Sequence, residues 1–212
     1  YTLKQWRRDP KELPASIIKR LPIRLTYDDN YFNDRYQGIP VNGYTALVGN
    51  MLAGADVLLN HDYLEKRDSW DAMARKVVFT GRIDEFYEYK HGELDYRSLR
   101  FEHENLPIAD FQGNALINYT SEFVPYTRII EHKHFTGLQT DNTYITREYP
   151  TDWAKGETPY YPINDAQNTA RYSVYLKLAK QETKYIFGGR LAEYRYYDMH
   201  QVIGSALQVA QE

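Results

Sequence analysis

The sequence of 212 residues contains no cysteine and no long apolar run, and both absences exclude classes of protein. Without cysteine there is no disulfide framework and no thiolate chemistry, which fits a reducing compartment. No apolar stretch approaches the roughly 18 residues that a membrane-spanning helix needs. The opening stretch YTLKQWRRDPKEL is polar, which predicts no signal peptide, and it begins with Tyr1 instead of methionine. We therefore expect a cytoplasmic protein with no membrane partner, and a piece of a longer polypeptide.

An excess of basic residues is also missing. The 26 lysines and arginines are balanced by 29 aspartates and glutamates, for a net charge of −3. A groove that follows nucleic-acid phosphates needs surplus positive charge, so we expect no nucleic-acid partner. The sequence also lacks the G-x-G-x-x-G, P-loop, G-x-S-x-G and H-E-x-x-H motifs, which excludes the usual phosphate cradles and the common hydrolase sites from these residues.

Tyrosine, by contrast, is abundant, with 21 residues. Its flat ring and hydroxyl group suit contacts with sugars and nucleotides. Several arginines lie close to aromatic residues in the sequence, such as Arg128 after Tyr126 and Arg190 before Tyr194. Because a guanidinium can bind two phosphate oxygens at once, these pairs are candidate anion sites. The alternatives are half-buried tyrosines of a sheet and arginines that pair with some of the 29 carboxylates.

Helix and strand signals alternate along the chain. Asp9, Pro10 and Glu12 predict the start of a helix, and Gly43 and Gly54 bound a second, short one. Residues 164–182 predict a longer helix, and alternating segments between 94 and 149 predict an antiparallel meander. The predicted strands are 22–27, 55–59, 76–81, 94–102, 114–120, 126–135, 143–149 and 185–187.

These elements predict an α+β protein in which α/β-like segments flank an antiparallel sheet. We expect the strands near 55–81 and 185–190 to share a layer that this chain does not complete. Because the antiparallel segments lie between these strands in the sequence, the organisation predicts two interleaved domains.

The C-terminal stretch IFGGRLAEYRYYDMHQVIGSALQVA has the order strand, glycine pair, loop and helix. In α/β proteins this order brings the N-terminus of a helix up to a negatively charged ligand. Asp198 is also the expected N-cap of that final helix. The residues alone therefore predict an anion site near Asp198 but do not name a reaction.

A metal site is not predicted. His132 and His134 are two residues apart and would lie on one face of a predicted strand, where they could offer two imidazoles to zinc. No third ligand is suggested by the spacing, and no cysteine is available.

Seven stretches together resemble, in order and spacing, the C-terminal part of the UDP-galactopyranose mutase family. They are YTLKQW, LPASIIKRLPIRLTYDDNYFND, GIPVNGYTALV, VFTGRIDEF, NYTSEFVPYTRIIEHKHF, PYYPIND and FGGRLAEYRYYDMHQVI. The resemblance runs along essentially all 212 residues and lacks the family's N-terminal dinucleotide-binding unit. It implies an antiparallel-sheet substrate domain interleaved with the remaining part of a Rossmann-like FAD-binding α/β domain.

The resemblance also implies boundaries and an activity. Residues 1–54 would start the substrate domain, 55–92 would belong to the flavin-binding layer, 93–160 to the antiparallel sheet and 161–212 to the C-terminal part of the flavin-binding layer. The family interconverts UDP-galactopyranose and UDP-galactofuranose for cell-wall biosynthesis, through an adduct between N5 of reduced FAD and the sugar. The implied partner is UDP-galactose, and a homodimer is the assembly that we consider for the full-length protein.

The resemblance assigns roles to individual positions. Two arginines would hold the diphosphate and serve catalysis: Arg20 and Arg128. The substrate-binding positions would be Tyr1, Thr2, Trp6, Arg20, Tyr31, Asn118, Arg128, Tyr161, Tyr196 and Asp198. The flavin-binding positions would be Tyr63, Leu64, Gly189, Arg190, Met199, His200, Gln201, Val202, Ile203 and Gly204.

Two positions depart from the family pattern, Arg7 and Arg82, where many members carry other residues, often glycine and proline. Neither has an assigned role. Two other functions stay open at this point: a non-catalytic module that binds sugar nucleotides, and a flavoprotein oxidoreductase of related topology. Because the N-terminal flavin contacts are missing, we expect this chain alone to be catalytically silent.

Overall fold

The computed structural model describes residues 1–7, 9, 11, 25–27 and 34–211. It contains two compact units. The first consists of Tyr1–Asn60 and Arg100–Pro150, and the second of His61–Leu99 and Thr151–Glu212. The mixed helix and sheet content confirms the α+β class, whereas the domain boundaries drawn from the sequence stay a prediction. Within the described ranges, no helix is both long enough and apolar enough to cross a membrane.

The described elements follow one another as short helices and strands. A 3-10 turn covers Leu64–Lys66. The helices are α1 (Thr2–Trp6), α2 (Gly43–Met51), α3 (Arg67–Met73), α4 (Ile83–Phe86), α5 (Lys133–Thr136), α6 (Ala166–Ala179), α7 (Gly189–Ala192) and α8 (Met199–Val209). The strands are β1 (Val77–Phe79), β2 (Tyr96–Leu106), β3 (Leu116–Asn118), β4 (Arg128–Glu131), β5 (Thr143–Asp152), β6 (Tyr161–Pro162) and β7 (Tyr185–Phe187).

Five strands form one sheet in the order β3-β4-β5-β2-β6, and the pairs β3–β4, β4–β5 and β2–β6 are antiparallel. This confirms the predicted antiparallel sheet. In the first unit, alternation along β4 and β5 buries Ile129 and Ile145 on one side. The opposite side of the same strands carries Arg128, which pairs with Asn118 on β3 and with Glu148 on β5.

The second unit is built around aromatic residues. One buried cluster contains Ile83, Leu94, Tyr96, Tyr175 and Tyr194, and another contains Phe79, Phe86 and Ala192. Strands β1 and β7 pair in parallel, as expected for two strands of one layer. Helix α6 begins as predicted, because the Asp165 carboxylate accepts a hydrogen bond of 2.8 Å from the Asn168 amide.

Two strand predictions need correction. Residues 55–59 form no strand, and Val57, Leu58 and Leu59 are more than half exposed. An apolar run becomes a strand only where a neighbouring strand satisfies its backbone, which the sequence pattern cannot show. Strand β4 ends at Glu131, so His132 and His134 do not lie on a strand.

The prediction for 22–27 falls partly outside the described residues, and the described part, 25–27, forms a bend. The helix predicted after Asp9 lies largely outside them as well, although the Asp9 carboxylate accepts a hydrogen bond of 2.9 Å from the Lys11 amide.

The backbone angles at Arg7 and Arg82 suit the residues, glycine and proline, that the resemblance led us to expect at these positions. Arg7 ends α1 in the left-handed region, at φ 51°, where glycine has no steric cost. Arg82 has φ −68°, which is the value that a proline ring imposes. The buried Arg82 guanidinium pairs with Asp84 at 2.6 Å and stacks 4.0 Å above the Trp153 ring. These contacts neutralise and pack the buried guanidinium, so an arginine is accommodated at this turn.

Candidate functional site

Arg128 is the centre of a polar cluster in the first unit. Its Nε donates to the Asn118 side-chain oxygen at 3.1 Å, and a terminal nitrogen donates to the Tyr1 hydroxyl at 3.2 Å. Its other terminal nitrogen lies 3.7 Å from a carboxylate oxygen of Glu148. Three residues that the sequence assigned to substrate binding, Tyr1, Asn118 and Arg128, are thus brought together by the first helix and two adjacent strands.

Glu148 is a member of this cluster that the sequence analysis missed. Its side chain is only 5% exposed. Burial raises the pKa of the Glu148 carboxyl above its ordinary value, and the positive charge of Arg128 opposes that rise. A buried carboxyl beside one arginine can orient the guanidinium without neutralising it fully. The available signal was the alternation of TYITREY, which places Glu148 on the face opposite to the buried Ile145.

Helix α1 carries the remaining residues assigned to nucleotide binding. Tyr1 is its N-cap, Thr2 is its first residue and Trp6 its last. Trp6 is 8% exposed, so its ring is packed into the unit and does not lie open on the surface. Arg20 and Tyr31, the other residues assigned to the substrate here, lie outside the described residues.

A second group of predicted site residues lies in the second unit. The rings of Tyr161 and Tyr196 are stacked, with centroids 5.1 Å apart and planes 8° from parallel. The Arg190 guanidinium lies 4.7 Å from the Tyr196 centroid and 5.4 Å from that of Tyr161. Arg190 Nε is buried and has no hydrogen-bond acceptor among the described residues. The arrangement presents a cation held by two aromatic rings.

The glycine pair and the final helix follow the predicted pattern. Gly189 has φ +80°, a conformation that other residues rarely adopt, so glycine is required there. Asp198 caps α8 in a reciprocal capping box: its amide donates to the Gln201 side chain at 2.8 Å, and its carboxylate accepts from the Gln201 amide. The remaining backbone amides of this helix end, from Met199 and His200, belong to exposed residues.

Tyr63 and Leu64, assigned to the flavin, pack against the Phe79 cluster of the second unit. The Tyr63 hydroxyl donates to the Asp71 carboxylate at 2.6 Å, and its ring lies 5.8 Å from Phe79. These contacts give both residues a structural role in the core of the unit. Their contact with a flavin stays a prediction, as it does for Val202, Ile203 and Gly204 in α8.

The two histidines do not converge on one point. His132 Nε2 lies 2.7 Å from the Thr146 hydroxyl, whereas His134 Nε2 lies 3.3 Å from Glu131 and 3.4 Å from Asp110. The possible ligand atoms of Asp110, Glu131 and His134 lie within 4.8 Å of one another. However, the Lys133 ammonium is already 3.5 Å from Asp110 and 3.7 Å from Glu131, and it would repel a divalent cation. We interpret this cluster as an ion-pair network.

The structure is thus an α+β protein in which each of the two groups, taken by itself, combines an arginine with tyrosine side chains. Comparison with known proteins is consistent with that class. A family model described as UDP-galactopyranose mutase matches residues 1–196.

Curated relatives align with the whole chain. It is 42% identical to a probable UDP-galactopyranose mutase of Klebsiella pneumoniae and 40% identical to dTDP-fucopyranose mutase of Escherichia coli, and it spans 55% and 58% of those proteins. It is 30% identical to UDP-galactopyranose mutase of Mycoplasma pneumoniae and spans 57% of it. The chain belongs to the UDP-galactopyranose mutase family and spans somewhat more than half the length of these relatives.

Proposed function

We propose that this chain is part of an enzyme that interconverts UDP-galactopyranose and UDP-galactofuranose. The observation that carries the proposal is the convergence of Tyr1, Asn118 and Glu148 on the Arg128 guanidinium, in a chain that belongs to the mutase family. This geometry supports an anion contact, because the guanidinium is held in one orientation on the sheet face and is 27% exposed.

The chemistry of this group fits the leaving group of the reaction. When the bond between the sugar and UDP breaks, negative charge develops on the diphosphate, and a fixed guanidinium stabilises that charge. The Tyr1 hydroxyl and the Asn118 amide orient the same guanidinium. We assign Arg128 this role and propose the same for Arg20.

The second unit fits one end of a flavin. Arg190 has a buried Nε for which the described part of the chain offers no acceptor, and α8 offers N-terminal amides beside its Asp198 cap. When bound, reduced FAD supplies an electron-rich nitrogen that displaces UDP from the anomeric carbon. The partial positive charge at the N-terminus of α8 would favour the negative charge of a reduced flavin ring. Arg190 and the first turn of α8 would hold the cofactor, while Tyr161 and Tyr196 beside Arg190 keep the substrate-binding role proposed for them.

The nucleotide part of the proposal can be tested on the chain itself. Calorimetric titration with UDP should show binding, and Arg128→Met should abolish it. Arg147→Met is the matched control, because Arg147 is also on the sheet and is similarly exposed, at 24%, but pairs with Glu104 at 2.6 Å on the face opposite to Arg128 and Glu148. If UDP binds Arg128→Met as well as the parent, the nucleotide site is elsewhere.

The cofactor and activity parts need separate measurements. Flavin absorbance in the purified chain tests for a bound cofactor. Conversion of UDP-galactopyranose in the presence of FAD and dithionite tests for activity, and we expect none from the 212 residues alone. Furanose product from this chain would contradict that expectation. UDP binding without flavin binding or turnover would be the behaviour of a non-catalytic binding module.

A second substrate has specific support. The relative from E. coli is named dTDP-fucopyranose mutase and is almost as similar to the chain as the relative from K. pneumoniae. Parallel titrations with UDP and dTDP decide between the two nucleotides. At least tenfold tighter binding of dTDP would replace UDP-galactose by dTDP-fucopyranose as the proposed substrate.

A further inference from the structure

Helix α1 is too short to be stable by itself. It has five residues, and isolated helices below about 12 residues are marginal in water. Tertiary contacts must therefore hold it in place. Its last two residues, Gln5 and Trp6, are buried, and its middle carries Lys4, whose side chain is partly buried.

The Lys4 ammonium makes two long-range hydrogen bonds. It donates to the backbone carbonyl of Tyr119 at 2.9 Å and to that of Ser121 at 3.2 Å. Because the acceptors are carbonyls, the side-chain identity at 119 and 121 does not matter for this contact. Burial lowers the pKa of Lys4 from its ordinary value, and the two carbonyl dipoles favour the charged form.

The acceptor carbonyls belong to the connection between β3 and β4. The Tyr119 amide donates to the Thr127 carbonyl at 2.9 Å, which closes this connection at its base. Asn118 is the last residue of β3 and Arg128 is the first residue of β4, so both lie directly beside that closure. Lys4 therefore attaches α1 to the segment that separates the two site residues.

A second contact joins α1 to the same place. Tyr1 and Lys4 are three residues apart, which puts them on one face of the helix. The Tyr1 hydroxyl accepts a hydrogen bond from Arg128 at 3.2 Å. One contact thus reaches the carbonyls of the connection, and the other reaches the guanidinium that we assign to the diphosphate.

We propose that Lys4 is a positioning residue of the nucleotide site. Its ammonium fixes α1 against the β3–β4 connection, so that the Tyr1 hydroxyl is held at the Arg128 guanidinium and the Trp6 ring stays buried. The identity of the ligand, a nucleoside diphosphate, rests on the proposed function. The attachment of α1 by Lys4 can be tested without any ligand.

The test compares two lysines of the first unit. Both Lys4 and Lys133 donate to backbone carbonyls, Lys133 to that of Ala109. The variants Lys4→Met and Lys133→Met are made in a chain that carries Trp70→Phe and Trp153→Phe, so that Trp6 is the sole tryptophan. Acrylamide quenching of Trp6 fluorescence and titration with UDP are then measured for each protein.

Lys4→Met should raise the quenching constant of Trp6 at least twofold, because the buried ring becomes accessible. It should weaken UDP binding roughly tenfold or more, as expected for losing one or two charge-assisted hydrogen bonds. Lys133→Met should leave both unchanged, and Lys4→Arg should restore part of the UDP affinity, because it keeps the cation.

Each of the other outcomes contradicts either the positioning role of Lys4 or the proposed function. Unchanged quenching in Lys4→Met overturns the positioning role, and so does an equal change in Lys133→Met. Loss of UDP affinity with Trp6 still protected would make Lys4 a direct ligand contact instead. If the parent chain binds no UDP, the proposed function fails, and the quenching data alone decide whether Lys4 positions α1.

Discussion

Removing the Arg128 side chain should destabilise the first unit as well as abolish nucleotide binding. The guanidinium is 3.7 Å from the carboxylate of Glu148, whose side chain is 5% exposed. At that distance the gross attraction is about 4–5 kcal/mol for an effective dielectric constant of about 20. Burial nevertheless keeps the pKa of Glu148 above its ordinary value, so the attraction does not fully repay the desolvation of the carboxylate.

In Arg128→Met the buried carboxylate loses its only described counter-charge. Loss of one partner of a buried pair costs about 3–5 kcal/mol, and we expect the lower end because Arg128 is 27% exposed. Glu148→Gln should be neutral or stabilising at pH 7. The double variant should resemble Glu148→Gln alone, because the penalty exists only where the carboxylate stays charged. The control Arg147→Met leaves behind the Glu104 carboxylate, which is 43% exposed and stays hydrated, so it should cost less, about 1 kcal/mol.

The pH dependence follows from the raised pKa of Glu148. A carboxyl group whose pKa is higher in the folded state does not destabilise the fold in acid, where it is protonated in both the folded and the unfolded state. The penalty develops as the pH rises from the unfolded pKa, near 4.3, through the folded pKa. The deficit of Arg128→Met should therefore be small near pH 4 and full at pH 7.

Urea denaturation measures these differences, with Trp6 as the probe of the first unit, since the other tryptophans, 70 and 153, belong to the second. An equal deficit at pH 4 and pH 7, or a Glu148→Gln variant that is as unstable as Arg128→Met, would refute the reasoning. The first result would mean that Arg128 stabilises the unit through its contacts with Tyr1 and Asn118, and the second would mean that the ion pair with Glu148 is itself net stabilising.

Three further outcomes are expected from stability measurements. Glu131 is fully buried, and although burial alone would raise its pKa, hydrogen bonds from Thr143 and the amides at 111 and 112 lower it to about 2. Glu131→Gln should therefore lower the free energy of unfolding by about 3 kcal/mol at pH 7, as measured by urea denaturation. This difference should shrink as the pH is lowered from 4.5 towards 2, where the parent carboxylate becomes protonated. A constant difference across this range would contradict the low pKa of Glu131. Gly189→Ala should cost about 1–2 kcal/mol of stability, because Gly189 has φ +80°. Gly188→Ala should cost less, because Gly188 has φ −144°. Equal melting temperatures of the two variants would contradict the strain argument. Asp165→Ala should cost about 1 kcal/mol through loss of the α6 cap, and unchanged exchange of the Asn168 amide would show that the cap is not made.

The elements predicted most reliably from the sequence were those with a local cause. The Asp165 and Asp198 caps, the glycine pair and the alternating strands of the meander depend on nearby residues, and the structure has them. The strand predicted at 55–59 was wrong because strand formation depends on a partner distant in the sequence. His132 and His134 were misplaced for a related reason, since β4 ends at Glu131, whose carboxylate binds the loop at 111 and 112.

The candidate site was predictable as a set of residues but not as a geometry. Resemblance to the family selected Arg128 and Asn118, and the register of β3 and β4 brings them together. The alternation of TYITREY indicates the face on which Glu148 lies, but not the register that places it opposite Arg128. The sequence also does not indicate that Lys4 would bind carbonyls more than a hundred residues away. Strand register and side-chain contacts to backbone carbonyls leave no compositional signal, because any residue supplies the carbonyl.

The contact between Glu148 and Arg128 indicates how the first unit balances stability against ligand binding. A buried carboxylate with a raised pKa is a cost that a purely structural sheet would avoid, for example with glutamine at position 148. The cost is understandable if Glu148 keeps the Arg128 guanidinium oriented while leaving it positive enough to attract a diphosphate. If so, Glu148→Gln should combine equal or higher stability with weaker UDP binding. A variant that gains stability and keeps its UDP affinity would show that the carboxylate has no part in the site.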